Sequence, residues 1–130
     1  MKKLPLIASI CILLASCGTN PETNSPYISE RGDSLIVDTT VPGADVIGYK
    51  GPVPLQVVVL KGKIAEIRIL DNQETPRFLS RAEDGLLPCW EGKTIAKAAK
   101  TEVDAVTGAT YTSNAIIRNM QIALGELRKK

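Results

Sequence analysis

Leu55 to Leu60 and Ile64 to Leu70 are two runs rich in β-branched side chains, joined by Lys61-Gly62-Lys63. Two such runs flanking a short glycine-containing link read as an antiparallel hairpin. In the second run Ala65, Ile67 and Ile69 alternate with Glu66 and Arg68. That alternation predicts one buried face and one wet face. A second period closes the chain: Ile116, Ile117, Met120, Ala123, Leu124 and Leu127 recur at helical spacing, with Arg118 and Glu126 on the opposite side. A hairpin and a helix in separate segments, with no internal repeat, predict an α+β fold. The expected form is a small antiparallel sheet with a few helices, the last of them C-terminal.

The remaining segments are shorter. Ser34-Leu35-Ile36-Val37-Asp38 is a strand candidate closed by a turn at Val41-Pro42-Gly43, and Val46-Ile47-Gly48-Tyr49 precedes a bend at Gly51-Pro52-Val53-Pro54. Thr75 is placed to cap a helix with Pro76 at its first position, with Phe78, Leu79 and Ala82 facing inward. Leu86 to Lys93 reads as a loop, Thr94 to Lys100 as a short helix or turn, and Glu102 to Val106 as extended chain.

The N-terminus carries an address. Met1-Lys2-Lys3 and the apolar run from Leu4 to Ala15 read as a secretory signal, too short to count as a spanning helix. It ends in Leu14-Ala15-Ser16-Cys17, similar to the lipobox of bacterial lipoproteins, which implies cleavage before Cys17 and a lipid anchor on its thiol. The expected division is a signal over 1–16, a flexible polar tether over 17–32 and a folded domain over 33–130. Cleavage removes Lys2 and Lys3 and takes the basic count from 16 to 14, equal to the 14 acidic residues. A near-neutral domain argues against a nucleic-acid partner, which needs a positive field. With Cys11 lost and Cys17 lipidated, Cys89 has no disulfide partner. The chain has no histidine, which excludes Cys/His zinc sites and His-based nucleophilic pairs.

The stretch with most chemistry is Asp104-Ala105-Val106-Thr107-Gly108-Ala109-Thr110-Tyr111-Thr112-Ser113, which enters the C-terminal amphipathic run. Ser113 suits a helix N-cap. A hydroxyl-rich turn at a helix N-terminus favours an anion such as phosphate, through free N–H groups and the helix dipole. On residue types alone, a polar loop with a capping residue is the favoured reading.

The stretch Asp-Ala-Val-Thr-Gly-Ala-Thr-x-Thr-Ser also resembles the flavinylation motif of the FMN-binding domain family. That family includes flavin-carrying components of the sodium-translocating NADH:quinone reductase and of the Rnf electron-transport complex. Glu74-Thr75-Pro76 and Gly48-Tyr49-x-Gly51 resemble further family segments, the second its first strand. The resemblance implies FMN held covalently through a threonine phosphoester and installed by a separate flavin transferase. Thr110 is the first choice of acceptor and Thr112 the alternative. Asp104 and Gly108 would be read by the transferase, and Thr107, Ala109 and Ser113 complete the cofactor-binding stretch. A covalent link suits an extracytoplasmic protein, because free FMN is dilute there.

The expected protein is a membrane-anchored electron carrier facing the periplasm or cell exterior, exchanging electrons with membrane electron-transport proteins. The alternatives are a lipoprotein binding module without flavin and a small flavin reductase. Trp90, the sole tryptophan, is a candidate to stack on the flavin ring or else a core anchor. Tyr49 and Tyr111 are further candidates for ring contacts. Cys89 reads as packing, with a redox thiol as the alternative, and Glu74 as a first-turn carboxylate.

Overall fold

The computed structural model describes residues 25–129. The expected signal segment and Cys17 lie outside the described residues, as does the first part of the expected tether. The chain runs through β1 (Ile28–Arg31), β2 (Ser34–Asp38), β3 (Leu55–Leu60), β4 (Lys63–Ile69), α1 (Pro76–Leu86), a 3₁₀ turn (Leu87–Cys89), α2 (Ile95–Lys100) and α3 (Thr110–Arg128). The four strands form one antiparallel sheet in the order β1-β2-β3-β4. The α+β expectation is met, with the C-terminal helix directly after the hydroxyl-rich stretch.

The hairpin turns on two residues rather than three. Lys61 and Gly62 have φ of 54° and 78°, while Lys63 already pairs with Leu60. Two successive positive φ values give the turn whose twist matches that of paired strands. The simple alternation expected in β4 is broken by a bulge. Val58 pairs with Glu66 but Val59 pairs with Ile64, so Ala65 is the extra residue. Ala65 is therefore exposed, contrary to the expected inward face, and Ile64 takes the buried position.

Val37, Val57 and Ile67 are mutually aligned across β2, β3 and β4 and lie in the core. Against this face pack Leu86 of α1, Ala98 of α2, and Ile116, Met120, Ala123, Leu124 and Leu127 of α3. The helical spacing of the C-terminal run thus corresponds to real burial. Asn119, also fully buried, donates from Nδ2 to the carbonyls of Val53 and Ala115 at 3.0 Å each. It ties α3 to the bend before β3. Ile67 is 4% exposed, and Ile67→Asp places an unpaired charge in this core. We expect a loss of about 4 kcal/mol or more, while Glu66→Asp is close to silent; thermal melts of the two variants check the register.

The folded part begins earlier than the expected boundary at residue 33. β1 pairs with β2 from Ile28↔Val37 to Arg31↔Ser34. Ser25 is buried, and its Oγ donates to Glu126 Oε1 at 2.6 Å. The sequence signal is weak because β1 is an edge strand with only Ile28 half-buried and the rest exposed. Such a strand is held by its ladder and has little apolar alternation to reveal it.

Pro76 opens α1 after Thr75, as expected, although the Thr75 side chain makes no capping bond. The 48–51 segment, which resembles the family's first strand, is instead a tight turn. Gly48 N–H donates to the Gly51 carbonyl at 2.7 Å, and Ile47 and Pro52 form an isolated bridge. Thr94 caps α2 by accepting from the Lys97 N–H. The segment before it pairs with β4 through Ile64 N–H to the Lys93 carbonyl (2.9 Å) and Gly92 N–H to the Ile64 carbonyl (2.8 Å). That pairing covers part of the sheet edge. Among the described residues no helix is long and apolar enough to cross a membrane.

Candidate functional site

The hydroxyl-rich stretch turns from extended chain into α3 at Gly108, whose φ of +87° disfavours any side chain. Ala109 is the N-cap and makes no side-chain capping bond, so Thr110 is the first helical residue. Ser113 is therefore not the N-cap expected of it. It lies inside the first turn, fully buried, and its Oγ accepts from the Val106 N–H at 3.0 Å. That bond folds the loop back onto the helix it precedes. The physical reason for the earlier start is this loop closure, reinforced by Ala109 N–H to the Val106 carbonyl at 3.0 Å.

The four aliphatic hydroxyls of the stretch consequently divide. Thr107 and Thr110 are exposed, whereas Thr112 and Ser113 are buried. Thr112 is 1% exposed, and its hydroxyl donates to Glu74 Oε1 at 2.5 Å. Thr110 opens a 19-residue helix with no acidic side chain in its first turn. The first-turn N–H groups lack intrahelical acceptors and the dipole is positive there, so an anion is favoured next to the Thr110 hydroxyl.

Beside Thr110 lies an open cleft of ≈ 300 Å³ lined by Tyr49, Phe78, Gly108, Ala109, Tyr111 and Thr112. Its aromatic walls come from three separate elements. The Tyr49 and Tyr111 ring centroids are 6.2 Å apart, and Phe78 stands edge-on to Tyr49 at 6.3 Å and 83°. Tyr49 and Tyr111 are 56% and 67% exposed. Exposed aromatic faces around a concavity suit a flat π system.

Glu74 holds this arrangement together. It precedes the cap of α1, is 5% exposed, and accepts from Tyr49 N–H (2.8 Å), Lys50 N–H (2.7 Å) and the Thr112 hydroxyl. One carboxylate thus ties the turn carrying Tyr49 to the first turn of α3. Gly48 is needed at that turn, because a Cβ there would lie 2.5 Å from Glu74 Oε1. Burial pushes the carboxyl up, but the bonds from Thr112, Tyr49, Lys50 and Gly51 outweigh it and hold Glu74 below the usual carboxylate range. It is a buried anchor, not a first-turn dipole partner; α1 has no acidic residue in its first turn.

Tyr49 and Tyr111 are brought to the cleft, where ring contacts are expected of them. Trp90 is not. It is 3% exposed, belongs to the core, and lines a different groove of ≈ 680 Å³ between the 98–104 segment and α3. The 3₁₀ turn before it directs the indole inward, so it serves as the core anchor. Asp104 lines that same groove, which separates it from the Thr110 cleft. Cys89 is half-buried, with its Sγ 3.6 Å from the Gly85 carbonyl. Phe78, expected to face inward on helical spacing, is half-buried because α1 presents it to the cleft edge. Nothing in local spacing marks Glu74 as an anchor, since its partners lie 24, 25 and 38 residues away in sequence.

Comparison with known proteins covers the same segments. The FMN-binding domain family matches residues 48–125, from the Gly48 turn through most of α3. An uncharacterised protein of Treponema pallidum (strain Nichols) is 31% identical over 78 residues. That match takes in 60% of this chain and 20% of the relative's length. No solved structure matches.

Proposed function

Because the chain belongs to the FMN-binding domain family and is a flavin-binding protein, we propose that it carries FMN covalently on Thr110. In this reading it works as a lipid-anchored extracytoplasmic electron carrier. The observation that carries the assignment is the split of the two rival hydroxyls. Thr110 is exposed beside the aromatic cleft, while Thr112 is buried and committed to Glu74.

The cleft fits the cofactor. Its volume is at the lower end of the range for small-molecule sites, about 300–1,000 Å³, which suits a ring that is partly exposed and held by a bond. The Thr110 oxygen forms the ester bond to phosphorus. The phosphoanhydride bond to the leaving group of an activated FMN donor breaks, and the hydroxyl proton passes to a base of the flavin transferase. No electron moves in that step. Once attached, the flavin supplies electron transfer, and Tyr49, Phe78 and Tyr111 orient its ring. The exposure of Tyr49 and Tyr111 leaves a rim for membrane electron-transport partners. Asp104, facing the separate groove, remains available for recognition by the transferase rather than for ring contact.

The test is co-expression with an active flavin transferase. We expect visible flavin absorbance and a mass gain of FMN less one water, both absent without the transferase. If neither appears, the protein is a binding module without covalent flavin. The anchor has its own test. Cys17→Ser gives a soluble or unprocessed form, and a cleaved variant that still fractionates with membranes overturns the lipid assignment.

A further inference from the structure

We propose that Arg81 is the phosphate-binding residue of the site, pairing with the phosphodiester that joins FMN to Thr110. Arg81 lies on the exposed side of α1, and its Nη1 sits 2.5 Å from where a Cβ on Gly108 would be. Its guanidinium therefore rests on the glycine of the Thr-Gly-Ala-Thr turn, two residues before the acceptor hydroxyl. Among the described residues no hydrogen bond, ion pair or ring contact engages it. A side chain with five donors, seated against the motif and unpaired, is poised for an anion there.

The chemistry of the link suits such a partner. The Thr110 ester leaves the phosphorus with one negative charge over two free oxygens. A guanidinium fork matches two such oxygens with parallel charge-assisted hydrogen bonds, which an ammonium cannot do. No carboxylate competes within the cleft lining. Gly108 contributes as well: any side chain there would push the guanidinium aside. Arg81 is a binding residue for the phosphodiester and takes no part in electron transfer.

The inference rests on covalent FMN at Thr110, and the test separates the two. The full chain and the variants Arg81→Gln, Arg81→Lys and Arg118→Gln are flavinylated by the transferase. Arg118→Gln removes an equal charge from an exposed position on α3 outside the cleft. The initial loading rate should fall about tenfold in Arg81→Gln, recover in part in Arg81→Lys, and change less than about twofold in Arg118→Gln. The ³¹P resonance of the loaded protein should move in Arg81→Gln and stay in place in Arg118→Gln. An unchanged rate with an unmoved resonance overturns the assignment of Arg81 and leaves the acceptor intact. A slower rate with an unmoved resonance also overturns it, since Arg81 then serves the transferase alone. A wild-type chain that gains no FMN mass refutes the acceptor reading itself, and Arg81 falls with it.

Discussion

Thr110→Val yields a colourless protein that melts with the wild type. The substitution removes the single oxygen that the phosphoester requires and keeps the branched shape. Thr110 is exposed at the first position of α3, and Ala109, not Thr110, is its cap. No buried contact or cap is lost, so the change in stability should stay within about 0.5 kcal/mol. Thr110→Ser retains the hydroxyl and should retain some colour. Thr112→Val behaves in the opposite way. It keeps the flavin but leaves Glu74 without its hydroxyl donor in a buried site, at a cost of about 1–3 kcal/mol. Absorbance and melting, measured on the same samples, separate the two residues completely. A folded but colourless Thr112→Val variant would transfer the acceptor role to Thr112.

Glu74→Ala lowers stability and disorders the aromatic wall together. The substitution leaves the N–H groups of Tyr49 and Lys50 and the Thr112 hydroxyl without their acceptor. Together these should cost about 2–4 kcal/mol. Glu74→Gln keeps the shape and one carbonyl oxygen, and should lose less. The pH dependence follows from the depressed carboxyl of Glu74. A lowered folded pKa contributes stability that is fully present above the ordinary value of 4.5 and is lost as pH falls through the folded value below it. The stability gap between wild type and Glu74→Gln should therefore be constant at neutral pH and narrow in acid below about pH 4.5. A gap that widens on acidification would contradict the anchoring role. Flavin bound to Glu74→Gln should also show a more mobile ring, because Tyr49 is carried on the turn that Glu74 holds.

Local periodicity reveals those elements whose burial follows one simple rule. The β3–β4 hairpin and α3 are legible because apolar positions repeat at the period of the element itself. Ala65 departs from the alternation because a bulge changes the parity of β4 without altering its composition. Ser113 resembles a cap, but its real partner, the Val106 N–H, closes a loop and not a helix end. β1 leaves little trace because an exposed edge strand needs almost no apolar side chains.

The site shows the same limit more sharply. Asp104 to Ser113 draws attention to the acceptor, but spacing cannot say which hydroxyls face inward. That division depends on Glu74, 38 residues from Thr112. Phe78 and Tyr111 each meet Tyr49 only after the α1 and 48–51 segments fold against α3. Trp90 suggests a cofactor role by its ring alone, yet the domain uses it as core. Long-range contacts decide each of these, and no local pattern encodes them.

The most direct test is fragmentation of one peptide from the transferase-treated wild-type protein. Trypsin cuts after Lys100 and Arg118, and the residues between include both Thr110 and Thr112. The mass of FMN less one water should appear on fragments that contain Thr110 and be absent from those that begin at Tyr111. The added mass on Thr112, or an unmodified peptide from a folded and transferase-exposed protein, would contradict the account.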